Sequence, residues 1–260
     1  MTGPCSVPIG GVVEPGFEAV RRVFLENFSA RGEVGAACCV YWRGRAVVDL
    51  WGGWRDRARR APWERDTLAL VFSATKGMAS AAMAVAHARG LFELDEPVAR
   101  SWPDFAQGGK ARVTVRQLMD HQAGLAAVRT RLTPGLLADP ESLGRALACE
   151  RPCWDPGARH GYHGLTLGWY QSELLRRVDP RGRTLGRYFA EEVAAPLGAE
   201  FYIGLPGAID PDRLAAIVPF RPWHLLLHMN TLPARAVLAA LTPGSLTRRS
   251  FFNPRLRTPA

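Results

Sequence analysis

Apolar residues recur at spacings of three and four in Phe17, Val20, Phe24 and Phe28, just after Pro15-Gly16. This predicts an amphipathic helix that ends near Arg31-Gly32. Two β-rich runs follow, Val34 to Trp42 and Ala46 to Trp54, joined by Arg43-Gly44-Arg45. A short glycine-containing turn between such runs predicts an antiparallel hairpin. Arg55 to Arg65 is charged and reads as a loop, and from Thr67 the pattern turns helical. Ser73 to Gly90 is rich in Ala and Met and apolar on nearly every face, which predicts a buried helix closed by Gly90. Leu91 to Phe105, with two prolines, reads as extended chain or short turns, and Thr114 should cap a short helix, Val115 to His121, stopped by Gly124. Further helices are expected at Glu141 to Ala148, His163 to Val178, Thr184 to Ala195 and Trp223 to Ala240, the last interrupted at Pro233. Pro152 to Gly161 is a loop. The pattern therefore divides into 1–66, a helix with a hairpin, and 67–260, a mostly helical block without βαβ repetition.

Composition alters this picture little. Apolar residues make up 47% and charged residues 22% of 260, ordinary for a globular protein. The net charge of +9 raises the question of nucleic acid. The arginines, however, occur singly or in pairs such as Arg21-Arg22 and Arg248-Arg249, without zinc-finger spacing, an RNP-like aromatic motif or a long basic run. No specific nucleic-acid partner is expected. The five cysteines include the adjacent Cys38-Cys39, whose side chains point to opposite faces of a strand, so a disulfide framework is not expected. Cys149 and Cys153 lack further ligands at metal spacing, and His224 and His228 lack an intervening Glu and a third ligand; no metal or other cofactor is expected. Met1 to Gly16 shows no signal-peptide pattern, and Gly77 to Ala88 is too short to span a bilayer, which together predict a cytoplasmic chain without a transmembrane segment.

The candidate chemistry begins at Ser73-Ala74-Thr75-Lys76, an S-x-x-K where the small-residue helix starts. Residues three apart share a helix face, so the Lys76 amine can reach the Ser73 hydroxyl. A neutral amine in that position makes serine a nucleophile near neutral pH. A plainer role also fits: Ser73 could cap the helix while Lys76 is solvated in its first turn. Against it, a cation at a helix N-terminus is electrostatically misplaced. A glycine-rich loop, Pro156 to Gly161, then delivers Tyr162 and His163 to the start of the next helix. Beside an ammonium a tyrosine can serve as general base; alone, Tyr162 reads equally as a loop aromatic packed on the core.

Taken in order, Val71 to Gly77, Val113 to Leu125, Trp154-Asp155-Pro156-Gly157 and Tyr162-His163 resemble the serine β-lactamase-like and penicillin-binding-protein family, and within it the class C-related carboxylesterases and β-lactamase-domain hydrolases. The resemblance covers about residues 10 to 260. It implies an α/β fold of the α+β kind, an antiparallel sheet flanked by helices together with an all-helical region. It also implies that Ser73 is acylated, that Lys76 and Tyr162 handle its proton, and that His163 and Gly164 line the substrate site. Two positions depart from the family pattern. Its Tyr-x-Asn motif has Gly164 in place of the asparagine, removing a carboxamide that contacts an acyl amide. Its His-x-Ser-Gly-Leu becomes His121-Gln122-Ala123-Gly124-Leu125.

The expectation is a serine hydrolase that cleaves small or medium acyl esters. A β-lactamase or D,D-peptidase, and a non-catalytic binding or assembly domain, stand as alternatives. The family's third motif, Lys-Thr-Gly or His-x-Gly on a sheet strand, does not follow Tyr162, and no further alternating strand follows Ile203. A chain truncated at its C-terminus, with an incomplete sheet and one oxyanion donor lost, is therefore expected to be nearly inactive and poorly soluble, and its open sheet edge allows a homo-oligomer.

Overall fold

The computed structural model describes residues 7–58, 60–218 and 233–254. These fall into two compact units, one built from 7–71 and 207–218, the other from 72–206 and 233–254.

In the first unit the strands β1 (Ile9–Val13), β2 (Gly35–Trp42) and β3 (Arg45–Gly53) form an antiparallel sheet in the order β1-β3-β2. The expected hairpin is β2–β3. Its turn is Arg43-Gly44, with φ of 50° and 78°, the left-handed pair that matches strand twist. A register shift between Val40 and Tyr41 marks a bulge. The third strand was not expected: Ile9-Gly10-Gly11-Val12-Val13 is short, and its two glycines weaken a strand pattern. The register needs one of them, because a Cβ on Gly11, at φ +107°, would lie 1.9 Å from the Asp49 carbonyl oxygen of β3. The helix α1 (Glu18–Ala30) covers one side. Phe24 is buried with Val47, Val48 and Leu50, and Phe17, Val20 and Phe28 pack around them as their spacing foretold. After the charged loop, Leu68 donates to the Arg213 carbonyl and Ala215 to that of Leu68, both at 2.8 Å, so 207–218 returns to this unit.

The second unit is helical: α2 (Thr75–Ala88), α3 (Val115–Met119), α4 (Pro134–Ala138), α5 (Pro140–Ala148), α6 (Thr166–Val178), α7 (Leu185–Phe189), a π-turn over Ala190–Ala194, α8 (Ala195–Leu197), α9 (Ala234–Leu241) and α10 (Leu246–Phe251). The predicted helix across Pro233 lies partly outside the described residues; its described part is α9. Helices α4 and α10 went unforeseen, both being about one turn long, while Thr133 and Ser245 cap them. Thr114 and Gln117 form a reciprocal capping box on α3.

α2 is not buried all round as its composition suggested. It buries one stripe, Ala79, Ala82, Met83 and Ala86, while Gly77, Ser80 and Ala84 on the other side are exposed. The stripe has the i, i+3, i+4, i+7 spacing of one helix face. The composition misled because alanine and glycine are apolar without demanding burial. The stripe's small side chains lie in one core with Leu118, Tyr170, Leu174, Tyr188 and Phe189. Trp102, Phe105 and Tyr170 form a cluster with ring centroids 5.3–6.2 Å apart, spacings typical of favourable aromatic pairs.

Lys110 is fully buried beneath this core. Its amine donates to the carbonyls of Gln107 (2.6 Å), Ala148 (2.9 Å) and Glu150, and sits 5.2 Å from the centre of the Phe105 ring. Three N–H groups meet three carbonyls, which ties the 103–109 turns to the end of α5. Lys110→Met would leave the Ala148 and Glu150 carbonyls without that donor, at roughly 1–3 kcal/mol each, while the Gln107 carbonyl keeps the backbone N–H of residue 110 at 3.4 Å. Denaturant unfolding should show a loss of at least about 2 kcal/mol; a loss below 1 kcal/mol would contradict the bonding described.

Candidate active site

Ser73 sits in a 3-10 turn, Phe72–Ala74, that runs directly into α2. The residue before it, Phe72, has φ +45°, a left-handed conformation that a bulky side chain adopts at a cost of roughly 1–3 kcal/mol. The turn puts Ser73 on the exposed head of the helix and Lys76 one turn behind it. The Lys76 amine donates to Ser73 Oγ at 3.2 Å and to the Gly164 carbonyl oxygen at 2.6 Å. Tyr162 comes from the loop before α6, and its ring centre lies 5.0 Å from Lys76 Nζ. Burial alone would raise the pKa of its phenol. Hydrogen bonds with Ser73 and Lys76, together with the lysine's charge, outweigh that effect and bring the pKa below 10. Tyr162 remains 47% exposed. The structure thus brings Ser73, Lys76 and Tyr162 side by side.

Gly164 and His163 are placed differently from the sequence expectation, which put both against substrate. Gly164 is buried and turns its carbonyl to Lys76. The space a side chain would occupy is filled by the ring of Phe251, 2.8 Å from a Cβ built there. His163 is fully buried. Its Nε2 accepts from the Leu125 N–H at 2.8 Å, and its Nδ1 lies 3.1 Å from Nδ1 of His121. With both ring nitrogens engaged inside the protein, it stands behind the site. The reason is topological: α6 starts at Thr166, three residues later than its pattern suggested, so Tyr162 and His163 precede the helix, the first exposed and the second buried.

Beside Lys76 opens a cleft of about 700 Å³, within the usual range for small-molecule sites. Phe72 and Ala79 of the α2 segment, Leu137, Trp169 and Ile203 give it apolar walls. These residues, like Phe251 beside Tyr162 (ring centroids 6.5 Å apart), carry no sequence signal of their own; only the fold brings them to Lys76. Among the described residues no helix is long and apolar enough to cross a membrane.

Comparison with known proteins fits this geometry. Residues 20–236 match the model of the family described as Beta-lactamase. The chain is 41% identical over 209 residues to Esterase/beta-lactamase LipL of Mycobacterium tuberculosis, a match that covers 80% of this chain and 48% of that protein. Among solved structures, a family VIII carboxylesterase superposes with a TM-score of 0.81 at 38% identity over 96% of this chain and 63% of its own. A penicillin-binding-protein homologue from Caulobacter crescentus gives 0.76 at 40% identity, over 82% of this chain and 56% of its own. The chain therefore spans about half the length of the curated relative and somewhat more of the solved ones.

Replacing Lys76 by Met removes both the hydrogen bond and the charge that favour the Tyr162 phenolate. The phenol should then titrate higher, measurable as an upward shift of the Tyr162 ¹³Cζ NMR transition. An unchanged midpoint would show that the lysine does not act on Tyr162.

Proposed function

The chain belongs to the Beta-lactamase family, and from that premise we propose that it is a serine hydrolase that cleaves small or medium acyl esters. The observation that carries this reading is the 3.2 Å contact of Lys76 Nζ with Ser73 Oγ, with the Tyr162 ring centre 5.0 Å from that amine. Ser73 Oγ attacks the ester carbonyl while its proton passes to the Lys76–Tyr162 pair. The pair returns that proton to the departing alcohol, leaving an acyl group on Ser73. Water, deprotonated by the same pair, attacks the acyl-enzyme; the carboxylic acid leaves and Ser73 is restored. The apolar cleft beside Lys76 suits the acyl portion of such a substrate.

Hydrolysis of β-lactams or peptide amides is the second reading, and the name of the mycobacterial relative covers both activities. Gly164 favours esters, because its position offers a backbone carbonyl to Lys76 and no carboxamide for an acyl amide. A non-catalytic binding role is disfavoured, since binding alone has no need of a lysine amine on a serine hydroxyl. A cytoplasmic location belongs to the same proposal, supported by free thiols at Cys38, Cys39, Cys149 and Cys153.

Ser73→Ala should abolish labelling by a fluorophosphonate probe while circular dichroism stays unchanged; labelling that survives would place the nucleophile elsewhere. Lys76→Arg keeps the charge but cannot become a neutral base, so acylation should slow at least about a hundredfold. Activity within a few-fold of the parent would return Lys76 to a solvated role. In kcat/KM, a short p-nitrophenyl ester should exceed nitrocefin, and a ratio below one would reverse the order of the two readings.

A further inference from the structure

Tyr162 lies outside regular secondary structure, yet both of its chain neighbours are tied to a single residue. The Gly161 N–H donates to the His121 carbonyl at 3.1 Å, and the His163 N–H donates to His121 Nδ1 at 3.0 Å. The His121 ring also lies against that of Tyr162, centroids 5.2 Å apart at 57°. His121 is itself held in an unusual conformation, with φ +61° directly after α3. We propose that His121 is a positioning residue for Tyr162, gripping the chain on both sides of it, and that His163 holds His121 in the one tautomer able to do so. The proposal rests on the role given to Tyr162 above, and it assigns to a histidine of the helix-stop loop a part that the sequence did not suggest.

The bonding partners specify the proton positions. His163 Nε2 accepts from the Leu125 N–H, so its proton is on Nδ1, which faces His121 Nδ1 at 3.1 Å. His121 Nδ1 therefore accepts from two donors, the backbone and ring N–H groups of His163, and its own proton must be on Nε2. Neither ring can take a second proton without setting donor against donor, at Leu125 for His163 or at His163 for His121. The electrostatics agree. Burial and the neighbouring His121 hold His163 down to about 4, against the Gly161 backbone, which opposes them. Burial, then Lys76 and His160, lower His121, with Asp120 acting the other way. The groups facing the pair are thus Lys76, Asp120, His160 and the Tyr162 phenol. With the folded value of His163 below the free value of about 6.5, the unfolded chain binds more protons in between. The contribution of the pair is complete above about pH 6.5 and is lost as pH falls towards about 4.

The first arm of the test needs no turnover. In ¹⁵N-resolved histidine NMR of the chain, His163 should be an Nδ1–H tautomer still neutral at pH 5.5, and His121 an Nε2–H tautomer whose titration lies below its ordinary value. Ordinary titration of either near 6.5 would overturn the proposal. The second arm compares His121→Asn with His121→Leu. Asparagine keeps an acceptor near the Nδ1 position and tolerates positive φ, whereas leucine removes the acceptor. His121→Asn should keep the Tyr162 ¹³Cζ midpoint and a fluorophosphonate labelling rate within about threefold of the parent. His121→Leu should raise that midpoint and slow the maximal labelling rate at least tenfold, with probe affinity within about threefold. An unmoved Tyr162 midpoint in a folded His121→Leu protein would sink the idea. If that variant does not fold, the tautomers of the parent and the His121→Asn titration still decide it. A parent chain that Ser73 does not allow to label would refute the hydrolase reading, while both NMR arms would still report on the grip.

Discussion

Much of the helical unit is neither helix nor strand, and the pairing of its buried backbone groups is the constraint on which the rest depends. A peptide N–H or carbonyl taken out of water must find a partner, and in irregular chain, where no regular ladder supplies one, side chains take much of that part. The protein meets this with a few polar residues placed deep inside. Lys110 serves three carbonyls. The buried Glu150 carboxylate accepts from the N–H groups of Arg129 and Thr130. Asn253 accepts from Leu132 and donates to Val128 and Thr130. Thr166 donates to the carbonyl of Leu125 and His163 accepts from its N–H. The loop from Leu125 to Leu132 thus keeps one course although it has no regular structure, and it forms the floor on which His163, and through it Tyr162, rests.

Seen this way, the candidate site has two supports of different kind. Ser73 and Lys76 share one turn, and their distance follows from helix geometry once α2 has buried its Ala79, Ala82, Met83 and Ala86 stripe. Tyr162 is brought from 86 positions away and owes its place to hydrogen bonds between loops. Helix geometry is hard to perturb by a single substitution, whereas loop bonding can be undone at one atom. The serine–lysine half should tolerate changes in the surrounding core, and the tyrosine half should not tolerate changes in the polar groups behind it.

The same division explains what was legible in the sequence. Periodicity in Phe17, Val20, Phe24 and Phe28 and the Arg43-Gly44 turn announced α1 and the hairpin, because each depends on residues a few positions apart. The Ser73–Lys76 spacing was readable for the same reason. The strand β1 was hidden by Gly10 and Gly11, since its signal lies in its pairing with β3 some 40 residues away. The exposure of one side of α2 was hidden because alanine looks the same in a core and on a surface. His163 was misplaced because its partners, Leu125 and His121, are distant in sequence and no local pattern connects them. Tyr162 was drawn to notice by the glycine-rich loop before it, but that loop left its role open, and only the ordered motifs that resembled a family assigned one.

The protein draws nearly all of its positive charge from arginine and contains only two lysines. One of them, Lys110, is sealed in the core with its three protons engaged, and the other is Lys76, at the cleft. The folded surface therefore presents almost no primary amine apart from the chain's own α-amino group. Reagents that acylate amines, which decorate most proteins indiscriminately, would here find a single side-chain target, and it lies beside the serine. Amine chemistry, normally the bluntest of protein modifications, becomes a selective reporter of whether this cleft is open or filled.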